Sequence, residues 1–442
     1  MDKNRCSGME NSQNMKNGNT SSVVGGPGRG NAMQHRKVVF LIDLLLMLFA
    51  GITYSWSVFI GPLEAEFGWT RPQTSLAFTI SSLMVTTAAM LAAFMAKKLK
   101  VRGVLILAAV CTFTGFVSAS RLTQLWQLYA FYSVCAFFGV GIIYNQVVAT
   151  VVRWFRDKSG LVTGCMLMCY GIGSMILSPL CSAMVQRAGW RITFFLLGCV
   201  GGALMLAGSF IVRYPDEKEE RELPQLAAGG GHGSSGNSSA ENDSTPADMV
   251  KTSAFWYFVF WNLSVASIGL AMSSHSSPIA QGIGLSVTMA GFFAGIISLC
   301  NGIGRVVLGV VFDKIGYHKT MMTVSVIAIL SGVTLLIAYT SKNAALLFIA
   351  FALTGTTFSG GPICSASYVK TLFGEKNYAV NYGFGNLIII PAAFIGPYLS
   401  GWIYQTGGYH LVFPVIAVYG AISLVFSILL GAAARRYLKS RT

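Results

Sequence analysis

Few residues in this 442-residue chain could do chemistry in an apolar setting, and they lie far apart. Only two residues of fully charged type interrupt its long apolar stretches, Asp43 and Arg305. An ionised group at bilayer depth costs at least about 2.5–3.5 kcal/mol, so it normally faces a cavity or a partner. Arg305 sits in Asn301-Gly302-Ile303-Gly304-Arg305. Its guanidinium never deprotonates and fits a carboxylate bidentately, which suits anion binding. The alternatives are a permanent bridge to Asp43 or packing against carbonyls. Asp43 reads either as a protonatable coupling group or as a gate or packing partner near the interface. His275, in Ser273-Ser274-His275-Ser276-Ser277-Pro278, is either a proton-linked group or a neutral imidazole near a cavity mouth.

Polar-edged residues add hydroxyl and amide donors: Tyr54, Trp56, Tyr144, Asn145, Gln146, Tyr170, Tyr382 and Asn386. Tyr144 and Tyr170 fall well inside their apolar stretches, which favours a cavity over an interfacial belt. No metal-ligand spacing, nucleophile constellation or phosphate loop occurs. A metal site, a cofactor and an enzymatic role are therefore not expected. The nine cysteines include no CxxC pair and read as small apolar packing residues.

These residues must be positioned by membrane helices. Charged residues make up 11% of the chain, against about 25% in soluble proteins, and mean hydropathy is +0.61. That excludes a disordered chain, a nucleic-acid-binding domain and an ordinary soluble enzyme. A membrane helix needs about 20 mostly apolar residues. Twelve such stretches are predicted: near 38–60, 72–96, 103–119, 124–150, 160–186 and 191–213, then 254–275, 286–312, 320–340, 344–369, 377–403 and 411–434.

The polar segments set the organisation. Residues 1–37 are expected to be a disordered cytoplasmic tail, 38–213 an N-terminal half of six helices and 214–252 a cytoplasmic linker. Residues 253–434 form a C-terminal half of six helices, and 435–442 a basic cytoplasmic tail. With both termini cytoplasmic, 25 of the 31 Lys and Arg fall on that side. Arg71, Arg121, Arg187, Arg191 and Lys342 fall on the other, and Arg305 lies within a span. The positive-inside bias thus accounts for the net charge of +15 without nucleic acid. Anionic lipid headgroups are the expected partners of some of these residues.

The halves echo each other at an offset of about 216–219 residues. Gly68-Trp69-Thr70 matches Gly284-Leu285-Ser286, Phe155 and Lys158 match Phe373 and Lys376, and Pro179 matches Pro397. Duplicated six-helix halves with a site at their interface are a transporter architecture. Gly291-x-x-x-Gly295 and Gly139-x-Gly141 would let helices pack closely.

The loop Gly309-Val-Val-Phe-Asp313-Lys314-Ile-Gly316-Tyr-His-Lys319 resembles the G-x-x-x-D-[RK]-x-G-x-[RK] loop of the major facilitator superfamily. Asp313, Lys314 and Lys319 are its candidate cytoplasmic gate charges. The equivalent stretch in the first half, Ala93 to Arg102, lacks the aspartate and is entirely basic.

Over residues 38–434 the chain resembles the oxalate/formate antiporter family of that superfamily, and it is also similar to monocarboxylate transporters. The resemblance rests on Tyr54-Ser-Trp56-Ser57-Val58-Phe59, on Tyr144 with Arg153-Trp154-Phe155, and on Lys158-Ser-Gly160-Leu161. Tyr170-Gly171-Ile-Gly173-Ser174, the Arg305 motif with Asp313-Lys314, Phe373-Gly374 and Asn381-Tyr382-Gly383 complete it. It implies an all-α membrane protein of twelve transmembrane helices in two pseudo-symmetric halves, working by alternating access. It also implies Arg305 as the carboxylate-binding cation, with Tyr54, Tyr144 and Tyr170 lining the cavity; Asn386 is a further candidate ligand.

Two departures matter. Oxalate-exchanging members carry a lysine in span 11, whereas no Lys or Arg lies between Lys376 and Arg435 here. One arginine neutralises one carboxylate, and an unpaired buried charge is costly. The stretch Gly360-Gly361-Pro362-Ile-Cys364-Ser365-Ala366 also lacks the aromatics of oxalate carriers, which suggests a roomier site. The expected function is therefore transport of a small organic anion, a monocarboxylate of the formate, lactate or pyruvate class. Coupling is by proton symport, with Asp43 and His275 as the titratable candidates, or by anion exchange. The alternatives are an oxalate/formate-type antiporter and a non-transporting carboxylate receptor. A cation carrier is disfavoured by the scarcity of cavity carboxylates. The expected setting is the cell membrane, as a monomer by default for the fold.

Overall fold

The computed structural model describes residues 27–217, 219, 244–374 and 377–439. Among the described residues, ten stretches are long and apolar enough to cross a membrane. Two of them, Leu161–Ile211 and Val287–Thr340, are 51 and 54 residues long and double back, so the chain crosses twelve times.

Helix α1 runs over Pro27–Ala50 and continues through a 3-10 turn, Gly51–Ser55, into Ser57–Phe67. It therefore begins within the segment expected to be tail, ten residues or so before the apolar run. Helices α2 (71–99) and α3 (101–119) break at Lys100. Helix α4 spans Leu125–Trp154 and is π-helical over Leu128–Ala136. Helices α5 (159–188) and α6 (190–211) break at Gly189.

The second half repeats the plan. Helix α7 is Ser253–Gly282, and α8 (287–315) and α9 (317–340) break at Gly316. Helix α10 is Ala344–Phe373. Helix α11 covers 378–407 with a π-helical turn at Phe394–Leu399, and α12 is Tyr409–Lys439. Within the expected linker, Pro246–Val250 forms a short helix.

The sequence repeat has a backbone cause. Gly68 and Gly284 both adopt positive φ (66° and 94°), and Thr70 and Ser286 are the N-cap residues that follow them. Gln73 Oε1 accepts from the Thr70 N–H at 2.9 Å, and Ser286 Oγ accepts from the Met289 N–H at 3.3 Å. Such bonds satisfy amide groups that the first helical turn leaves open. Gly189 and Gly408 also share positive φ, 81° and 70°. Lys100 (φ 56°) takes the position that Gly316 (φ 78°) holds in the second half.

Tight contacts between halves run along α5 and α8. A Cβ on Gly295 would lie 2.3 Å from Met175 Cα, so this close approach tolerates only glycine. The Gly291-x-x-x-Gly295 motif thus belongs to the seam between the halves. We call the end of the bundle carrying the α1–α2, α7–α8 and α11–α12 turns the far end, and the opposite one the terminal end.

Candidate functional site

The polar groups of the spans divide into a central cluster and a far-end cluster. The central cluster forms around α1, α4, α5, α8 and α10. The turn at Gly51–Ser55 brings the α1 backbone onto α5, where a Cβ on Gly51 would meet the Tyr170 carbonyl at 2.4 Å. That approach places Tyr54 edge-on to Tyr170, with ring centroids 5.4 Å apart. Tyr144 of α4 stands edge-on to Tyr170 at 5.3 Å. Edge-to-face pairs of this kind add about 0.5–1.5 kcal/mol beyond burial and hold the rings in fixed orientations.

Arg305 enters from α8. Gly304 allows α8 to approach α10, since a Cβ there would lie 2.3 Å from Ser359 Oγ. The guanidinium has Tyr144, Tyr54 and Tyr382 as charge-interacting neighbours, with Tyr144 within hydrogen-bonding reach. Arg305 is half-buried, and its buried Nε has no hydrogen-bond partner. The glycines of the Arg305 motif therefore serve helix packing.

Phe358 joins the cluster from α10, edge-on to Tyr54 at 6.2 Å. It lies two residues before the aromatic-free stretch that suggested a roomier site, so one aromatic of α10 does border the tyrosines. Its only sequence signal is an aromatic side chain two residues before Gly360-Gly361.

Asp43 is fully buried on α1, and neither carboxylate oxygen has a partner. No bridge to Arg305 forms. Asp43 lies one turn from Val39, which packs on Trp154 near the terminal end. Tyr54, Tyr144, Tyr170 and Arg305 thus come together, while Asp43 stands apart. The side chain of Asn386 lies outside the described residues. Asp313, Lys314 and Lys319 are exposed at the α8–α9 turn, and Asp313 forms no ion pair among the described residues.

His275 belongs to the far-end cluster and is fully buried. Its Nε2 is 3.2 Å from the Pro397 carbonyl and 3.4 Å from Ser75 Oγ, and its Nδ1 is 3.4 Å from Tyr409 Oη. Arg71 Nη1 donates to Tyr409 Oη at 2.8 Å. Arg71 Nε and Nη2 donate to the two oxygens of Glu64, each at 2.8 Å, and Thr74 Oγ1 donates to Glu64 Oε1 at 2.8 Å. Two further bonds join the halves at this end, Ser57 with Ser276 at 3.1 Å and Thr79 to the Ala393 carbonyl at 2.7 Å. Glu64 and Arg71 carry no motif, and nothing local in the sequence marks them.

Beside this cluster, Glu66 accepts from Trp190 Nε1 and Arg191 Nη2, each at 2.6 Å. The Trp190 hydrogen bond, reinforced by Arg191, holds the Glu66 carboxyl below its ordinary range.

Among the described residues no group of three or more His, Cys, Asp or Glu could hold a metal. Residues 43–389 and 263–441 match the Major Facilitator Superfamily. The chain is 28% identical to the oxalate:formate antiporter of Oxalobacter formigenes over 393 residues, 88% of this chain and 89% of that protein. It is 24% identical to monocarboxylate transporter 12 of Xenopus laevis over 404 residues, 86% of this chain and 85% of that protein. In fold it is similar to a bacterial homolog of the human lysosomal transporter Spinster solved inward-facing and unoccupied. That likeness has TM-score 0.64 and 15% identity, over 92% of this chain and 98% of that one. The nucleoside transporter NupG gives TM-score 0.66 at 13% identity, over 89% of this chain and 99% of that one. The twelve crossings, the duplicated halves and these matches make the chain a multi-pass membrane protein that belongs to the Major Facilitator Superfamily.

Proposed function

We propose that this chain moves a small monocarboxylate across the membrane by alternating access, with the anion held on Arg305. The observation that carries the reading is the half-buried guanidinium, whose Nε lacks a partner while three tyrosines surround it. A carboxylate would complete that donor set and cancel the buried charge. The sequence of α11 supplies no second cation from 377 to 407. A monoanion therefore leaves the site neutral, and a dianion leaves about one charge unpaired. The similarity to an oxalate:formate antiporter keeps exchange of a dicarboxylate as the competing reading.

In this reading both termini are cytoplasmic and the far end faces outward, as the Lys and Arg bias favours. The inter-half bonds at the far end then correspond to an inward-facing state. Asp43, buried without a partner, is the group that would hold a proton if uptake is proton-linked.

Proteoliposome uptake of labelled formate, lactate, pyruvate and oxalate, with and without a pH gradient, tests the proposal. Arg305→Lys should cut monocarboxylate uptake roughly tenfold to a hundredfold, the loss of one or two charge-assisted hydrogen bonds. Oxalate uptake at the monocarboxylate rate would favour exchange of a dianion. A variant as active as the wild type would place the anion elsewhere.

A further inference from the structure

The far-end cluster is a chain of hydrogen bonds with a defined proton order. Arg71 Nη1 donates to Tyr409 Oη at 2.8 Å, so the Tyr409 O–H is free to donate to His275 Nδ1 at 3.4 Å. A carbonyl only accepts, so His275 Nε2, 3.2 Å from Pro397 O, carries the proton. This order needs a neutral imidazole. It also spans both halves, because Glu64 and Arg71 belong to the first and His275, Pro397 and Tyr409 to the second.

Among the described residues, the groups facing His275 contain no free acid. Helix α2 presents Arg71 and Ser75, α11 presents the Pro397 carbonyl, and α12 presents Tyr409. Tyr404 of α11 packs on Tyr409 with its ring tilted by 43° at 4.4 Å and lies under the Arg71 guanidinium at 4.5 Å. Tyr339 of α9 meets the Tyr409 ring edge-on. The nearest carboxylate, Glu64, already accepts from Arg71 twice and from Thr74. A proton added to Nδ1 would displace the Tyr409 donor and set a second cation beside Arg71, in a buried place where like charges repel strongly.

We propose that Glu64, Arg71, Tyr409 and His275 form a proton-sensitive lock that holds the far end shut. Protonation of His275 is compatible only with the open far end, where water reaches the ring. Acid on that side then favours opening, and the lock re-forms once the proton leaves. The inference rests on the transporter reading for its purpose, but its test needs no substrate.

Amide hydrogen exchange of the full chain in lipid nanodiscs, read by mass spectrometry and corrected for intrinsic rates, would follow the far-end segments 71–80 and 274–282. In the wild type, acidification from about pH 7.5 to about pH 5.5 should speed their exchange at least about fivefold relative to terminal-end segments. His275→Gln should abolish that response. Glu64→Gln should exchange fast at both pH values, and Tyr409→Phe should do so if His275→Gln does not fold. A wild type without the acid response, an undiminished response in His275→Gln, or Glu64→Gln protected like the wild type would each overturn the lock. Uptake of the four carboxylates by proteoliposomes of the same purified proteins separates the two ideas. An intact acid response with no carboxylate uptake would sink the substrate reading alone.

Discussion

The two ends of this bundle treat their charges in opposite ways. At the far end Arg71 and Glu64 are mostly buried, bonded to each other, and tied through Tyr409 to the other half. At the terminal end Asp313, Lys314 and Lys319 are exposed, and Asp313 makes no ion pair among the described residues. Ion pairs that do form there, Arg36 with Asp157, Arg213 with Glu219 and, just before α7, Lys251 with Asp248, do not join the two halves. Among the described residues, apart from the central contact of Arg305 with Tyr144, the hydrogen bonds that join the halves gather at the far end. The charges are thus paired and dehydrated at the end where hydrogen bonds join the halves, and exposed at the other.

Arg71→Ala should disturb this contrast most. It leaves Glu64 without its partner, and breaking a buried pair costs about 3–5 kcal/mol. Far-end amide protection should then fall by about a hundredfold or more, with terminal-end segments unchanged. Equal loss at both ends would mean that Arg71 supports the fold as a whole and that the ends are not independent.

Glu66 offers a weaker test at the same end. Its carboxyl titrates below the ordinary range because Trp190 and Arg191 bond it. The stability this gives is present above the unfolded-state value near 4.3 and is lost as pH falls through the lower folded value. The pair with Arg191 is well exposed, so Glu66→Gln should cost no more than about 1 kcal/mol at neutral pH and progressively less in acid. Thermal unfolding in detergent across that range checks both sign and size. A growing penalty in acid would refute the assignment.

Asp313→Asn should do least, within about 0.5 kcal/mol in the same unfolding assay, because the residue is exposed and makes no ion pair among the described residues. A larger loss would show that the terminal end is held by charges after all.

Much of the fold could be read from the chain, because apolar runs and charge asymmetry are direct consequences of the bilayer. The start of α1 at Pro27 could not, since residues 27–37 are polar and helix ends carry no hydropathy signal. At the centre, Arg305 stood out as a costly charge in an apolar run. Its tyrosine neighbours were legible as polar edges at mid-span. Phe358 was not, because an aromatic in an apolar helix gives no sign of which face it occupies. The far-end lock was hidden for another reason. Arg71 read as one of a few basic residues on the sparse side, and Tyr409 lies 338 positions along the chain from it.

The abrupt reversals at Lys100, Gly189 and Gly316 bear on how this protein is made. Each joins two crossings through a single non-helical residue, inside helical stretches of 49, 53 and 54 residues. So short a link leaves the second helix no freedom to settle apart from the first. Half of the twelve crossings are therefore assembled as adjacent pairs, with the Gly189 turn at the far end and the Lys100 and Gly316 turns at the terminal end.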